Sequence, residues 1–269
     1  IQTYYAGTLP ADVSPDTWSG RHIRDAAEGL PAGATEVSCL LPNADGSYPD
    51  QAWAKVVTDA SGKLSVGPQP AERDGFAFVG WYVDKALTQK FDFTKSVAAQ
   101  GGIAPSPVTK LYGRYVATSG KLPTERDGIK GTEASWSFSR EGVLSVRCDA
   151  QGAVIQGMWY NNATTTAGYW GPLRSLVKKV VMDPDVEVRS MRFWFHEMRS
   201  LVDVSQAFIP DGTVNVAQLF LGATSVTELH EGFVLPSSVK EAFAMFHDAY
   251  SLSKLPEGFT LRGVTGDLW

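Results

Sequence analysis

A chain of 269 residues, 43% hydrophobic and 20% charged, is long enough for about two domains and for a core that needs no covalent staples. The net charge is −5 and no block of five like charges occurs, so the basic stripe expected of a nucleic-acid binder is missing. Cys39 and Cys148 are the only cysteines, too few for a disulfide framework or a four-cysteine zinc site, and no apolar run reaches the ~18 residues of a membrane helix.

The chain begins at Ile1 with no signal-type apolar stretch, which reads as a mature or trimmed fragment. Residues 1–34 read as a short strand through Tyr4 and Tyr5, then a helix. Ser14 stands at the N-cap and Pro15 at the first helical position, and Trp18, Ile23, Ala26 and Ala27 form a stripe that runs to about Leu30. Residues 35–117 read as short strands over 36–41, 52–59, 76–82 and 111–116, with turns at Asp59–Gly62 and Asp74–Gly75. Residues 118–130 are polar, carry Gly and Pro, and read as a linker. The tetrapeptide Glu-Arg-Asp-Gly occurs at 72–75 and again at 125–128; both copies read as turns, because Asp-Gly readily takes positive φ.

In residues 131–187, Trp136 and Phe138 alternate with polar residues, Arg140–Gly142 turns, and Val143, Leu144 and Val146 return as a hairpin. A loop with Trp159, Tyr160, Tyr169 and Trp170 follows, and Pro172 opens a helix expected over 172–180.

From about residue 188 to 269 the sequence repeats every 25 or 26 residues. Phe195, Phe220 and Phe246 form one column, Leu201, Val226 and Leu252 a second, and Val204, Leu229 and Leu255 a third. Phe208, Phe233 and Phe259 form a fourth, and Val188, Val214, Val239 and Val264 a fifth. A unit this short cannot bury its own apolar face, so stacked units are expected. The Leu–x–x–Leu step suits a strand and its turn, and the Phe195-type segment suits a helical turn on the opposite side. The fourth unit stops at Trp269, inside a repeat, so either the protein continues or this end self-associates.

The third unit, with Met245–Phe246, Leu252, Leu255–Pro256 and Phe259, resembles the BspA-like class of bacterial surface leucine-rich repeats. WSFSREGVLSV and YWGPLRSLVKKVVMD resemble that class's amino-terminal cap. The asparagine ladder of eukaryotic-type leucine-rich repeats is absent. Upstream, Gly75, Phe76, Phe78, Gly80, Trp81, Tyr82, Phe91, Asp92, Phe93, Leu111 and Tyr112 resemble the Listeria–Bacteroides repeat, also called the internalin B-repeat. Together the resemblances imply an α+β protein: a small β-grasp-like domain, then a short leucine-rich-repeat solenoid with an N-terminal β-hairpin/helix cap. They also imply an extracellular place on the bacterial cell surface.

No HExxH, G-x-S-x-G, phosphate-binding Gly loop or Cys–His pairing is present, and His196 and His247 fall on a repeat position. The expectation is a non-enzymatic adhesion or host-interaction fragment. It would bind host or neighbouring-cell surface proteins or glycans, without cofactor or metal. An accessory or stalk region of a larger secreted enzyme or surface protein is the alternative. Asp203, Glu228 and Lys254, between the Leu columns, are the ligand-facing candidates on the inner face, although a merely solvated strand face explains them equally well. Trp159, Tyr160 and Trp170 either stack on sugars and anchor a partner, or cover the open end of the repeats.

Overall fold

Short β-branched and aromatic stretches separated by Asp-Gly turns produce a chain whose described residues are nearly all β in their regular structure. A computed structural model describes residues 2–5, 22–25, 34–64, 67–100, 107–157 and 170–265. They divide into two units, Ile1–Val116 and Ala117–Trp269.

In the first unit, β1 (Gln2–Tyr5) pairs in parallel with β2 (His22–Asp25). The helix expected over 15–30 is therefore replaced by a strand at 22–25, where a neighbouring strand supplies backbone partners and overrides a weak apolar stripe. The rest of that helix lies outside the described residues.

Four further strands, β3 (Glu36–Leu40), β4 (Ala54–Val57), β5 (Phe76–Tyr82) and β6 (Lys110–Ala117), form a sheet in the order β4-β3-β6-β5. β3 runs antiparallel to β4 and parallel to β6. Its core joins Val37, Cys39, Val56, Leu64, Trp81 and Leu111. The Trp81 indole N–H donates to the Pro68 carbonyl at 2.9 Å, and Trp53 and Phe78 pack against the ring.

No α-helix connects β5 to β6 among the described residues. The connection holds a three-residue 3-10 turn, Val97–Ala99, between polar loops. Asp84 accepts the N–H groups of Thr88 and Gln89, and Asp92 accepts those of Thr94, so the carboxylates hold the backbone in turns that compete with a helix. This overturns the α+β, β-grasp-like domain.

The second unit is built on β7 (Ser119–Arg126), β8 (Ile129–Phe138), β9 (Val143–Cys148), β10 (Val154–Ile155), β11 (Lys179–Met182), β12 (Glu187–Val188) and β13 (Asp203–Gln206). They form one mixed sheet in the order β12-β10-β7-β8-β9-β11-β13. Residues 118–130 are thus a hairpin and not a linker. Asp127 and Gly128 take φ of 51° and 78°, the two left-handed positions of a tight hairpin turn. Pro123 sits where the β7–β8 register shifts, so its missing N–H interrupts no regular ladder. The helix expected over 172–180 shrinks to a 3-10 helix, Gly171–Leu176, because Val180 and Val181 enter β11 instead.

The rungs beyond β12 overturn the leucine-rich-repeat solenoid. In residues 188–265, β13 is the only strand longer than two among the described residues, and no helical layer lies opposite it. Instead the segments 191–197 and 216–222 send alternate N–H groups to the next rung. Met191, Phe193, Phe195 and Glu197 donate to the carbonyls of Asn215, Ala217, Leu219 and Leu221; Val216, Gln218, Phe220 and Gly222 donate to Glu241, Phe243, Met245 and His247. Phe193, Gln218 and Ala244 have positive φ, as do Glu197, Gly222 and Asp248. Left-handed residues four apart break any α-helix, so the Phe195-type segment is a chain of turns. Its rings nevertheless pack from rung to rung, Phe195 to Phe220 at 5.2 Å and Phe220 to Phe246 at 5.8 Å between centroids.

Candidate functional site

One face of the second unit carries an open groove of about 480 Å³, lined by Val202, Asp203, Ser205, Glu228, His230, Glu231 and Lys254 among others. Its position follows from the backbone ladder. The N–H groups of Val202 and Asp203 both donate to the Lys178 carbonyl at 3.0 Å, which fastens β13 to β11. On the other wall, Ser253 N–H donates to Thr227 O at 2.9 Å and Leu229 N–H to Lys254 O at 3.1 Å. Between β13 and the Glu228 rung no backbone hydrogen bond forms among the described residues. A side chain spans the gap: His230 Nε2 reaches the Ala207 carbonyl at 2.7 Å, while its Nδ1 accepts the Gly232 N–H at 3.1 Å. That pattern requires the tautomer with hydrogen on Nε2, since a carbonyl only accepts. The ladder parts here, and the groove opens at the parting.

Buried Val204 and Leu229 point into the core, and the alternation of strand side chains turns Asp203 and Glu228 outward. Lys179, on β11, lies 3.0 Å from Asp203, and Lys254 lies 3.6 Å from Glu228. Asp203 also accepts from the Ser205 hydroxyl at 2.6 Å and the Ser205 N–H at 2.9 Å. These Ser205 hydrogen bonds, with Lys179 beside them, hold the Asp203 carboxyl down to about 2 from its ordinary 3.8. Val202 is 60% exposed at the groove's edge. The site therefore offers an apolar patch and both signs of charge on a rigid frame, a combination suited to recognition.

No family model, curated protein or solved structure matches the chain.

Asp203, Glu228 and Lys254, expected on sequence spacing, come together here. Trp170 does not belong with them. It is 1% exposed, its indole N–H donates to the Trp194 carbonyl at 2.7 Å, and its ring meets Trp136 and Trp194 edge-on. Enclosed by other aromatic rings, it has no face for a sugar, and its ligand-binding assignment is withdrawn. Trp159 and Tyr160 lie outside the described residues. His230, Glu231 and Lys179 were missed. His230 was legible in principle, two residues after Glu228 on a strand-like rung, and Lys179 precedes Asp203 by about one repeat. Among the described residues, no group of three or more His, Cys, Asp or Glu side chains could hold a metal ion. No helix among them is long and apolar enough to cross a membrane.

Because the folded state depresses the Asp203 pKa, its contribution is fully present above the unfolded value and disappears as pH falls towards about 2. Asp203→Asn should flatten the acid limb of the stability–pH curve below about pH 4 and leave its neutral shape unchanged. Urea midpoints measured from pH 7 to 2 check this; an unaltered acid limb would rule the coupling out.

Proposed function

We propose that the chain is a non-enzymatic binding module of a bacterial cell surface, and that the groove on the second unit takes a protein or glycan of a host or neighbouring cell. One observation carries the reading: Asp203, Glu228 and Lys254, contributed by three successive rungs, open into a single groove. Repetition places one outward side chain per rung at a fixed height, so a partner meets an extended, pre-organised surface and little ordering cost opposes binding. Glu228 and Lys254 side chains are 63% and 62% exposed, so a ligand reaches them without opening the fold.

Screening the intact chain against arrays of extracellular-matrix proteins, cell-surface proteins and glycans tests the idea. A ligand should emerge whose affinity drops about tenfold or more in a Glu228→Gln, Lys254→Gln, Val202→Asp triple variant with unchanged thermal stability. An empty screen, or ligands bound equally by the variant, would remove the groove as the binding surface.

A further inference from the structure

The first unit carries a second groove, unrelated to the repeats, where two turns face each other at one end of the sheet. It has a volume of about 660 Å³, and Asn43, Tyr48, Arg73, Phe76, Arg114 and Tyr115 contribute to its walls. One turn closes through Gly46 N–H to Asn43 O at 3.0 Å and Asn43 N–H to Ser47 O at 2.8 Å. The other closes through Phe76 N–H to Arg73 O at 3.0 Å. This second turn is the first Glu-Arg-Asp-Gly copy, and Gly75 supplies its left-handed residue with φ of 74°. Both walls are therefore fixed by their own backbone.

Arg73 is held in place. Its Nη2 donates to the Pro42 carbonyl at 2.9 Å and its guanidinium lies 4.2 Å from the centre of the Tyr115 ring. Arg114 is half-buried and rests 5.5 Å from the centre of the Tyr82 ring, yet among the described residues it meets no carboxylate and no hydrogen-bond acceptor. A partly desolvated cation normally has an acid partner, and a single ring contact replaces only part of what hydration supplied. Asp74 is the one acidic residue in the lining, set against two arginines, so the groove is locally positive in a chain of net charge −5. Phe76 stands at the rim and is 51% exposed.

We propose that this groove binds an acidic sugar, with the Arg114 guanidinium receiving the carboxylate and the Phe76 ring lying against the pyranose. The forked N–H groups of arginine match a carboxylate two-for-two. An exposed aromatic ring beside a polar clamp suits a ligand with one apolar face and a ring of hydroxyls. An acidic peptide fits less well: the N–H groups of Asn43, Gly46, Ser47 and Phe76, which could pair an extended chain, are already used within the turns.

Calorimetric titration of the full chain with a galacturonic acid trisaccharide, with its methyl ester, and with an acidic peptide tests the assignment. The acid should bind about tenfold more tightly than the ester. Arg114→Gln should abolish that preference, and Phe76→Ala should weaken acid and ester alike. Equal binding of acid and ester, an unaffected Arg114→Gln variant, or tighter binding of the peptide than of the sugar would overturn it. Should Arg114→Gln fail to fold, the acid-to-ester ratio of the wild type and the exposed Phe76→Ala variant decide the matter.

Discussion

Replacing Phe220 by alanine should destabilise the second unit by about 4 kcal/mol. The ring is 1% exposed and sits between Phe195, Phe233 and Phe246, with centroids at 5.2, 5.5 and 5.8 Å. The cost of a large-to-small change depends on whether the surroundings can close on the hole. Here they are pinned on both sides. Phe195 N–H donates to Leu219 O at 2.9 Å, and Phe220 N–H donates to Met245 O at 2.8 Å, so the rung spacing is set by backbone bonds that a missing ring does not break. The void stays, and its lining loses dispersion contacts outright. Phe246→Ala makes the matching control. That ring is only half-buried, so alanine there should cost about half as much. Urea unfolding of both variants, read by hydrogen exchange of rung amides, separates the two values. Equal costs would mean that the rings do not form a continuous packed column.

The same residues show where sequence reading reaches and where it stops. Spacing alone brought Phe195, Phe220 and Phe246 together, because aromatic residues at a constant interval have few other ways to be buried. It did not reveal the backbone between them. The first left-handed position of each rung is occupied by Phe193, Gln218 or Ala244, residue types with no intrinsic preference for positive φ, and of the second positions only Gly222 and Asp248 carry a local signal. Rung-to-rung hydrogen bonds impose that conformation, and a helical turn was the wrong inference from a correct interval.

Strand β7 was hidden for a different reason. Between Ser119 and Arg126 only Leu122 and Thr124 are buried, so an exposed hairpin arm containing Gly120 and Pro123 has the composition of a linker. The Asp127–Gly128 turn was readable, and the strand leading into it was not.

The candidate groove shows the same division. Asp203, Glu228 and Lys254 were found because strand alternation and repeat register both place them outward. Trp170 misled because an aromatic ring is equally at home in a core and at a binding surface. Only its neighbours Trp136 and Trp194, distant in sequence, settle the matter. His230 escaped because its value lies in spanning a gap between rungs, and nothing in the sequence says that the ladder parts there.

In the first unit, Trp81→Ala should cost about 4 kcal/mol, and Gly67→Ala about 2 kcal/mol for the opposite reason. Trp81 is 2% exposed, and removing it leaves a hole among Trp53, Phe78 and Phe93 as well as an unused Pro68 carbonyl. At Gly67 a Cβ would lie 2.4 Å from Trp81 Cδ1 and 2.5 Å from Nε1, so alanine there overfills the same space. The φ of Gly67 lies outside the left-handed region, which leaves steric contact as the whole of the expected penalty, most of it with the Trp81 ring and the rest with Phe93 Cζ at 2.9 Å. The two changes must therefore be coupled. In a Trp81→Ala background the two contacts with the indole are gone and Phe93 Cζ at 2.9 Å is the close contact that remains, so Gly67→Ala should cost about half as much, a coupling of about 1 kcal/mol. Denaturant midpoints for the wild type, both single variants and the double variant give that number directly. If Gly67→Ala cost the same with and without the indole, the penalty would belong to Phe93 or to the backbone at residue 67, and the close approach of glycine to Trp81 would not be what holds this core in register.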